Sequence, residues 1–348
     1  MSGALEVRAL APQDASTAQR WDDFVAGCPQ ATFFHRAGWQ TVLREAFGHA
    51  THFLYAEAGG AIEGVLPLVH IRSRLFGHAL VGLPFAVYGG VAANGEAAAG
   101  ALEAEAQALA QRLGVAHLEL RNRQARHADW PTTDLYVTFR KTIAADAGAN
   151  LAAIPRKQRA MVRKGLAGGL SSRIDGGLDR FFPLYAGNQH RHGTPALPRR
   201  YFEALQRVFG ADVEILTVEA PDGRALSSVL SFHFRDEVLP YYAGDSVEAR
   251  ALAANDYKYW ALMRNACERG VRVFDFGRSK RGTGAYDFKR HWGFEPTPLH
   301  YEYRLYRRDT VPQNNPSNAK FKLLVAAWRR LPRGLATWLG PFVVRNLG

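Results

Sequence analysis

Residues 255–303 read NDYKYWALMRNACERGVRVFDFGRSKRGTGAYDFKRHWGFEPTPLHYEY. The order of features decides the fold: a helix, a buried strand, a basic glycine-rich loop, then an aromatic hairpin. Asn255 can cap the helix, and Tyr259, Met263 and Ala266 follow at helical spacing. Gly270 stands where a helix needs a left-handed stop. Val271 to Phe276 alternates as a strand does, with Val271, Val273 and Asp275 on one face and Arg272, Phe274 and Phe276 on the other. Asp275 and the loop Gly277–Gly284 come at the strand's C-terminal end, where open α/β sheets keep their chemistry.

The same plan stands earlier in the chain. Arg112-Leu113-Gly114-Val115-Ala116-His117-Leu118-Glu119-Leu120-Arg121 parallels Glu268-Arg269-Gly270-Val271-Arg272-Val273-Phe274-Asp275-Phe276-Gly277. In both, a helix ends at glycine and a strand ends in an acid between large apolar residues. Upstream, 52–73 reads as two strands joined at Gly59-Gly60, and 213–246 as strand, turn, strand and a third strand; Val229–Phe232 takes the place of Val65–Leu68. Helices are expected at 16–27, 33–47, 96–112 and 155–167. The spacing of the matches is close to domain size and implies a tandem duplication. The expected boundaries are 1–150, 151–306 and a tail, 307–348.

Composition narrows the function classes. Of the 348 residues, 47% are apolar and 22% charged, an ordinary balance for a globular protein. Cys28 and Cys267 make neither a disulfide framework nor a zinc site. The N-terminus lacks the basic start and apolar core of a signal peptide, and no apolar run is long enough to span a membrane. A cytoplasmic protein is expected. The net charge of +12 is concentrated: residues 304–348 hold nine Lys or Arg against Asp309, and 156–164 hold five cations and no acid. Two local anionic contacts fit this pattern better than a nucleic-acid coat, and no DNA-binding motif is present.

The tail differs from the body. After the polar spacer 309–318, Phe321, Leu324, Val325 and Trp328 share one helical face flanked by basic residues, and a short apolar end follows. Such a segment either lies on an anionic membrane surface, through 320–348, or packs on the body.

Several residues could carry chemistry. Asp275 is either a carboxylate that positions an amine or a strand-end acid paired with Arg278. The loop is not a Walker A sequence, yet Arg278 and Lys280 could hold a phosphate or carboxylate. Lys289 could neutralise an anionic group, while Trp292 and Phe294 read as core. Tyr242, at the end of the preceding strand, is a candidate general acid or substrate contact. His190, in a polar cluster with Asn188 and His192, could contact substrate. No third ligand accompanies these histidines, so no metal is expected.

FDFGRSK (274–280), GTGAYDFKRHWGFEP (282–296), LHYEY (299–303), LPFAVYGG (83–90), IPRKQRAMVRKG (154–165) and the ending 328–348 together resemble the FemAB-like acyltransferases. The resemblance is greatest to the branch that accompanies exosortase (PEP-CTERM) and exopolysaccharide loci, and it covers nearly the whole chain. It implies an α/β (α+β) fold of two tandem GNAT-like domains with the active site in the second. It implies an N-acyltransferase acting on an amine of a cell-envelope precursor, a small-molecule or lipid-linked sugar, with no bound cofactor. Taken with the residue readings above, Asp275, Tyr242 and Lys289 would be catalytic in such an enzyme. Arg278, Lys280, Tyr286, His190, Trp39, Tyr88, Arg159 and Arg163 would contact substrate. The donor stays open between acyl-CoA and aminoacyl-tRNA: residues 247–257 lack the glycines of a CoA pyrophosphate loop, and the helical arm of the tRNA-dependent enzymes has no counterpart. A non-catalytic module that binds an anionic glycolipid at the membrane's inner face is the other reading.

Overall fold

The computed structural model describes residues 4–73, 77–312 and 319–346 and, for 319–323, the backbone alone. Phe321, expected on the tail's apolar face, therefore lies outside the described side chains. The chain opens with β1 (Glu6–Ala9), α1 (Ala15–Gly27), α2 (Trp39–Phe47), β2 (Ala50–Ala58), β3 (Ala61–Ser73), β4 (Gly77–Gly82) and β5 (Ala92–Ala93). Next come α3 (Glu96–Leu113), β6 (His117–Asn122), β7 (Thr132–Thr133), β8 (Tyr136–Thr142), α4 (Ala147–Ala153), α5 (Arg156–Ala167), β9 (Ser171–Asp175), α6 (Phe181–His192) and α7 (Arg199–Phe209). The remainder is β10 (Val213–Glu219), β11 (Ala225–Phe234), β12 (Glu237–Asp245), α8 (Ala254–Glu268), β13 (Val273–Asp275), β14 (Ser279–Lys280), α9 (Gly284–His291), β15 (Pro296–Pro298), β16 (His300–Leu305), α10 (Ala319–Arg330) and α11 (Arg333–Val344).

Two compact units result, one of residues 1–134, 299–314 and 345–348, the other of 135–298 and 315–344. Each holds a mixed sheet, ordered β1-β2-β3-β4-β6-β16-β7 in the first and β14-β8-β13-β12-β11-β10-β9 in the second. The repeat expected from the sequence is visible in the pairing. Strands β2, β3 and β4 run antiparallel in turn, and β4 pairs parallel with β6 across the helix α3. Strands β10, β11 and β12 do the same, and β12 pairs parallel with β13 across α8. Both crossover helices stop at a left-handed glycine, Gly114 (φ +61°) and Gly270 (φ +76°), where a Cβ would be strained.

Each sheet is completed by a strand from outside its own repeat. β16, which follows the second repeat, pairs antiparallel with β6 of the first sheet. β8, which precedes the second repeat, pairs antiparallel with β13 of the second.

Three local expectations change. The stretch after the glycine loop is a helix, α9, and not one arm of a hairpin: Thr283 caps it, its hydroxyl accepting from the Tyr286 N–H at 3.4 Å. β15 and β16 do not pair with one another but with β8 and β6. α8 begins one residue before Asn255, and Ala253 takes the left-handed conformation (φ +57°) at its start. The core of the second unit gathers Trp260, Phe274, Phe276, Trp292 and Phe294, so the last two are core as expected. In the first unit α3 lays Leu102, Ala106 and Leu109 on Leu54, Leu66, Leu80 and Leu118 of the sheet.

Candidate active site

The second sheet opens where the chemistry was expected. β12 and β13 pair at two positions, Glu237 with Val273 and Val238 with Phe274. β12 then runs on to Asp245, while the chain after β13 turns toward β8, the Phe276 N–H donating to the Phe139 carbonyl at 2.9 Å. The two strands diverge. On β12 the register with β11 slips between Pro240 and Tyr242, so that Tyr241 is an extra, bulged residue. A bulge takes backbone polar groups out of the ladder and re-aims the side chains beside it.

On the other side of the opening, Asp275 is fully buried. One of its oxygens, Oδ1, accepts from the Thr138 hydroxyl at 3.0 Å and from the Gly277 N–H at 2.7 Å. Gly277 holds φ +63°, and a Cβ there would stand 3.8 Å from the Tyr241 ring. The Lys289 ammonium, reaching in from α9, donates to three successive carbonyls, those of Phe276 (2.7 Å), Gly277 (2.9 Å) and Arg278 (3.1 Å). Three acceptors match the three protons of a charged lysine. Burial nevertheless pulls the Lys289 pKa down to about 7; Asp275 works against this and Arg278 reinforces it.

Around this corner lie Arg278, exposed with its guanidinium 4.7 Å from the Tyr136 ring centre, and Lys280, half-buried on β14. Tyr286 joins them, its ring edge-on to Phe139 at 5.4 Å. Tyr242 stands on β12 across the opening, its hydroxyl 2.9 Å from that of Tyr201. Burial raises its pKa well above that of an ordinary tyrosine, and Tyr201 and Tyr241 add to the rise. At neutral pH it is a neutral hydroxyl, not a phenolate base.

Other expected contacts lie elsewhere. His190 is on α6, its Nε2 2.9 Å from the Leu331 carbonyl oxygen in the tail. On α5, Arg159 donates to the Ala152 carbonyl at 2.6 Å and Arg163 is exposed. Trp39 and Tyr88 are buried in the first unit, Trp39 donating to the Phe33 carbonyl at 3.0 Å and Tyr88 lying under the Arg123 guanidinium. Among the described residues no His, Cys, Asp or Glu cluster could hold a metal.

At the end of β12, Lys258 is fully buried and donates to Asp245 at 3.1 Å. Burial opposes the Asp245 charge, yet Lys258 and Ser227 outweigh it and hold that carboxyl below the usual range. Asp256, in the first turn of α8, is pushed up by burial although it accepts from the Trp292 indole at 3.0 Å.

Three features escaped the sequence reading. Thr138, Tyr136 and Phe139 come from β8, more than a hundred residues before the corner they line. The bulge at Tyr241 is a matter of register that composition does not mark. The first unit also holds a polar cleft of about 430 Å³ lined by Gln30, His35, Gly90, Asn122, Arg123 and Arg126. Beneath it Glu302 of β16 is fully buried and accepts from Asn122 Nδ2 (2.7 Å), the Arg126 N–H (2.7 Å) and His127 Nδ1 (2.9 Å).

Comparison with known proteins bears on the fold and on the second unit's domain family. Residues 152–290, within the second unit, match the acetyltransferase (GNAT) domain family. The UDP-N-acetylmuramoylpentapeptide-lysine N(6)-alanyltransferase of Weissella viridescens is 26% identical over 135 residues, which are 38% of this chain and 40% of that protein. The match thus spans well under half of that relative. Among solved structures, FemX superposes with a TM-score of 0.66 at 15% identity, covering 87% of this chain and 98% of FemX. A tandem GNAT protein from the clavulanic acid biosynthesis pathway gives 0.56 at 14% identity, over 88% of this chain and all of that one. L-PGS from Bacillus licheniformis gives 0.57 at 11% identity, over 91% and 98%. The chain has a tandem GNAT fold, and its second unit carries a GNAT acyltransferase domain.

Proposed function

We propose that this chain is an N-acyltransferase of the FemAB-like kind, moving an acyl or aminoacyl group onto an amine of a cell-envelope or exopolysaccharide precursor. The observation that carries the reading is the opening between β12 and β13, with its bulge at Tyr241, inside the GNAT domain. A strand end freed from its ladder offers the backbone donors that an acyl oxygen needs as it gains charge. The acceptor amine attacks the acyl carbonyl, the leaving thiolate or alkoxide takes a proton, and the amine loses one. Transfer is read as direct, with no covalent enzyme intermediate.

In this scheme Tyr242 is a neutral hydroxyl that donates to the substrate, and the buried Asp275 carboxylate acts from behind the strand end, favouring positive charge at the opening. Lys289 acts through the strand end whose carbonyls it holds. Arg278, Lys280 and Tyr286 form the anion-binding rim. The donor is an acyl-CoA or an aminoacyl ester: burial disfavours the charge of Asp256 in the first turn of α8, and its carboxyl accepts from the Trp292 indole, so it does not choose between them. The alanyltransferase named above has a lysine side chain in its acceptor, which supports an amine acceptor here. A lipid-linked sugar met at the inner face of a membrane is the reading that the basic tail favours.

The test is a transfer assay in which aminoacyl-tRNA and acyl-CoA are each offered with amino-sugar and lipid-linked acceptors, and the product is weighed by mass spectrometry. Acceptor mass should rise by one acyl group with at least one donor. Saturable acceptor binding without product from any donor would make the chain a binding module instead.

A further inference from the structure

The last helix, α11, meets its unit through its smallest residues. Ala336 and Gly340 are buried one turn apart, and a Cβ on Gly340 would stand 2.9 Å from the Ala196 carbonyl oxygen. Close approach on that side leaves the bulky residues on the other. Leu335, Trp338 and Phe342 follow at helical spacing and are 42%, 64% and 59% exposed. The Trp338 and Phe342 rings lie 5.8 Å apart, forming one ridge.

Of the apolar face expected on α10, Val325 packs on Gly193 and Trp328 is half-buried, while Leu324 is exposed. The outward aromatic face belongs to α11. From residue 319 to 348 the chain carries Lys320, Lys322, Arg329, Arg330, Arg333 and Arg345 and no Asp or Glu. Arg330 is exposed at the end of α10, a short turn from α11. Aromatic side chains with unopposed positive charge match the headgroup layer of an anionic bilayer, where rings enter the interface and cations meet phosphate. A second copy of the same face would bring like charges together. No described helix is long and apolar enough to cross a membrane, so the contact is in-plane.

We propose that α11 lies in the headgroup region of an anionic membrane, with Leu335, Trp338 and Phe342 inserted and the neighbouring arginines on lipid phosphates. This rests on the tail alone and stands apart from acyl transfer.

The full chain is mixed with phosphatidylglycerol-containing or pure phosphatidylcholine vesicles, some with brominated acyl chains. Binding is read by co-sedimentation and by quenching of tryptophan fluorescence. The anionic vesicles should bind the chain, raised salt should weaken binding, and brominated lipid should quench Trp338. Trp338→Ser with Phe342→Ser should lower the partition coefficient by about tenfold or more. Arg330→Glu should weaken binding and leave the melt alone. Absent binding, equal binding to neutral vesicles, or unchanged partition of the double variant would overturn the proposal. So would a dimer in sedimentation velocity that the double variant dissolves.

Discussion

The Lys289 ammonium donates to the Gly277 carbonyl at 2.9 Å, so that a helix residue holds the backbone at the mouth of the opening. The flanking carbonyls of Phe276 and Arg278 are held by the same group, and replacing the lysine releases all three. Lys289→Met should cost about 1–3 kcal/mol through lost hydrogen bonds to a buried amine. Chemical denaturation measures it, and an unchanged midpoint would show that the strand end holds itself.

The same lysine makes stability depend on pH. Its folded pKa of about 7 lies below the unfolded value of about 10.4, so between them the unfolded chain binds the extra proton. Stability from this group therefore rises with pH across that window, by up to about 1.4 kcal/mol per unit. Wild type minus Lys289→Met, followed by urea unfolding between neutral and mildly alkaline pH, should show the slope. Parallel curves would assign it to other groups.

Asp275 gives a cleaner separation of chemistry from folding. Both of its bonds described above go to Oδ1, which an asparagine amide can reproduce. Asp275→Asn should lower turnover by about a hundredfold or more if the charge works on the amine, with a smaller loss of stability because that charge also supports the buried Lys289 ammonium. Full activity in this variant would make Asp275 structural.

Tyr242→Phe removes the hydroxyl that meets Tyr201 at 2.9 Å. About 1 kcal/mol of stability should go with it. With a raised pKa, Tyr242 should contribute no ionisation to the pH–rate profile below the ordinary tyrosine range. A basic limb that disappears in the variant would contradict this.

Glu302→Gln should destabilise the first unit specifically. The carboxylate is fully buried and accepts from Asn122, Arg126 and His127, and a hydrogen bond to a charged group is worth about 1.5–3 kcal/mol. Hydrogen exchange should show faster opening of β6 and β16 than of β12.

Much of this was written in the chain. Glycines at 114 and 270 and the strand patterns after them announced the duplicated βαβ core, because periodicity and left-handed stops are local signals. Asp275 and its basic loop stood out for the same reason. Residues 284–291 did not: a helix rich in aromatic residues lacks a clean apolar stripe, and the Thr283 cap was the signal that could have found it. Trp39 and Tyr88 look alike in sequence whether they line a groove or fill a core, and burial alone separates the two. Thr138 was beyond local reach, since nothing in β8 says which sheet it joins.

The strand exchange has a consequence in time. Translation is directional, so β6 emerges long before β16 exists to cover its edge, and the first sheet stays unfinished until some three hundred residues have been made. An uncovered edge strand is an invitation to pair with the wrong chain. Neither half of the gene encodes a complete sheet: a ribosome that stalls inside the second repeat leaves behind no finished first domain.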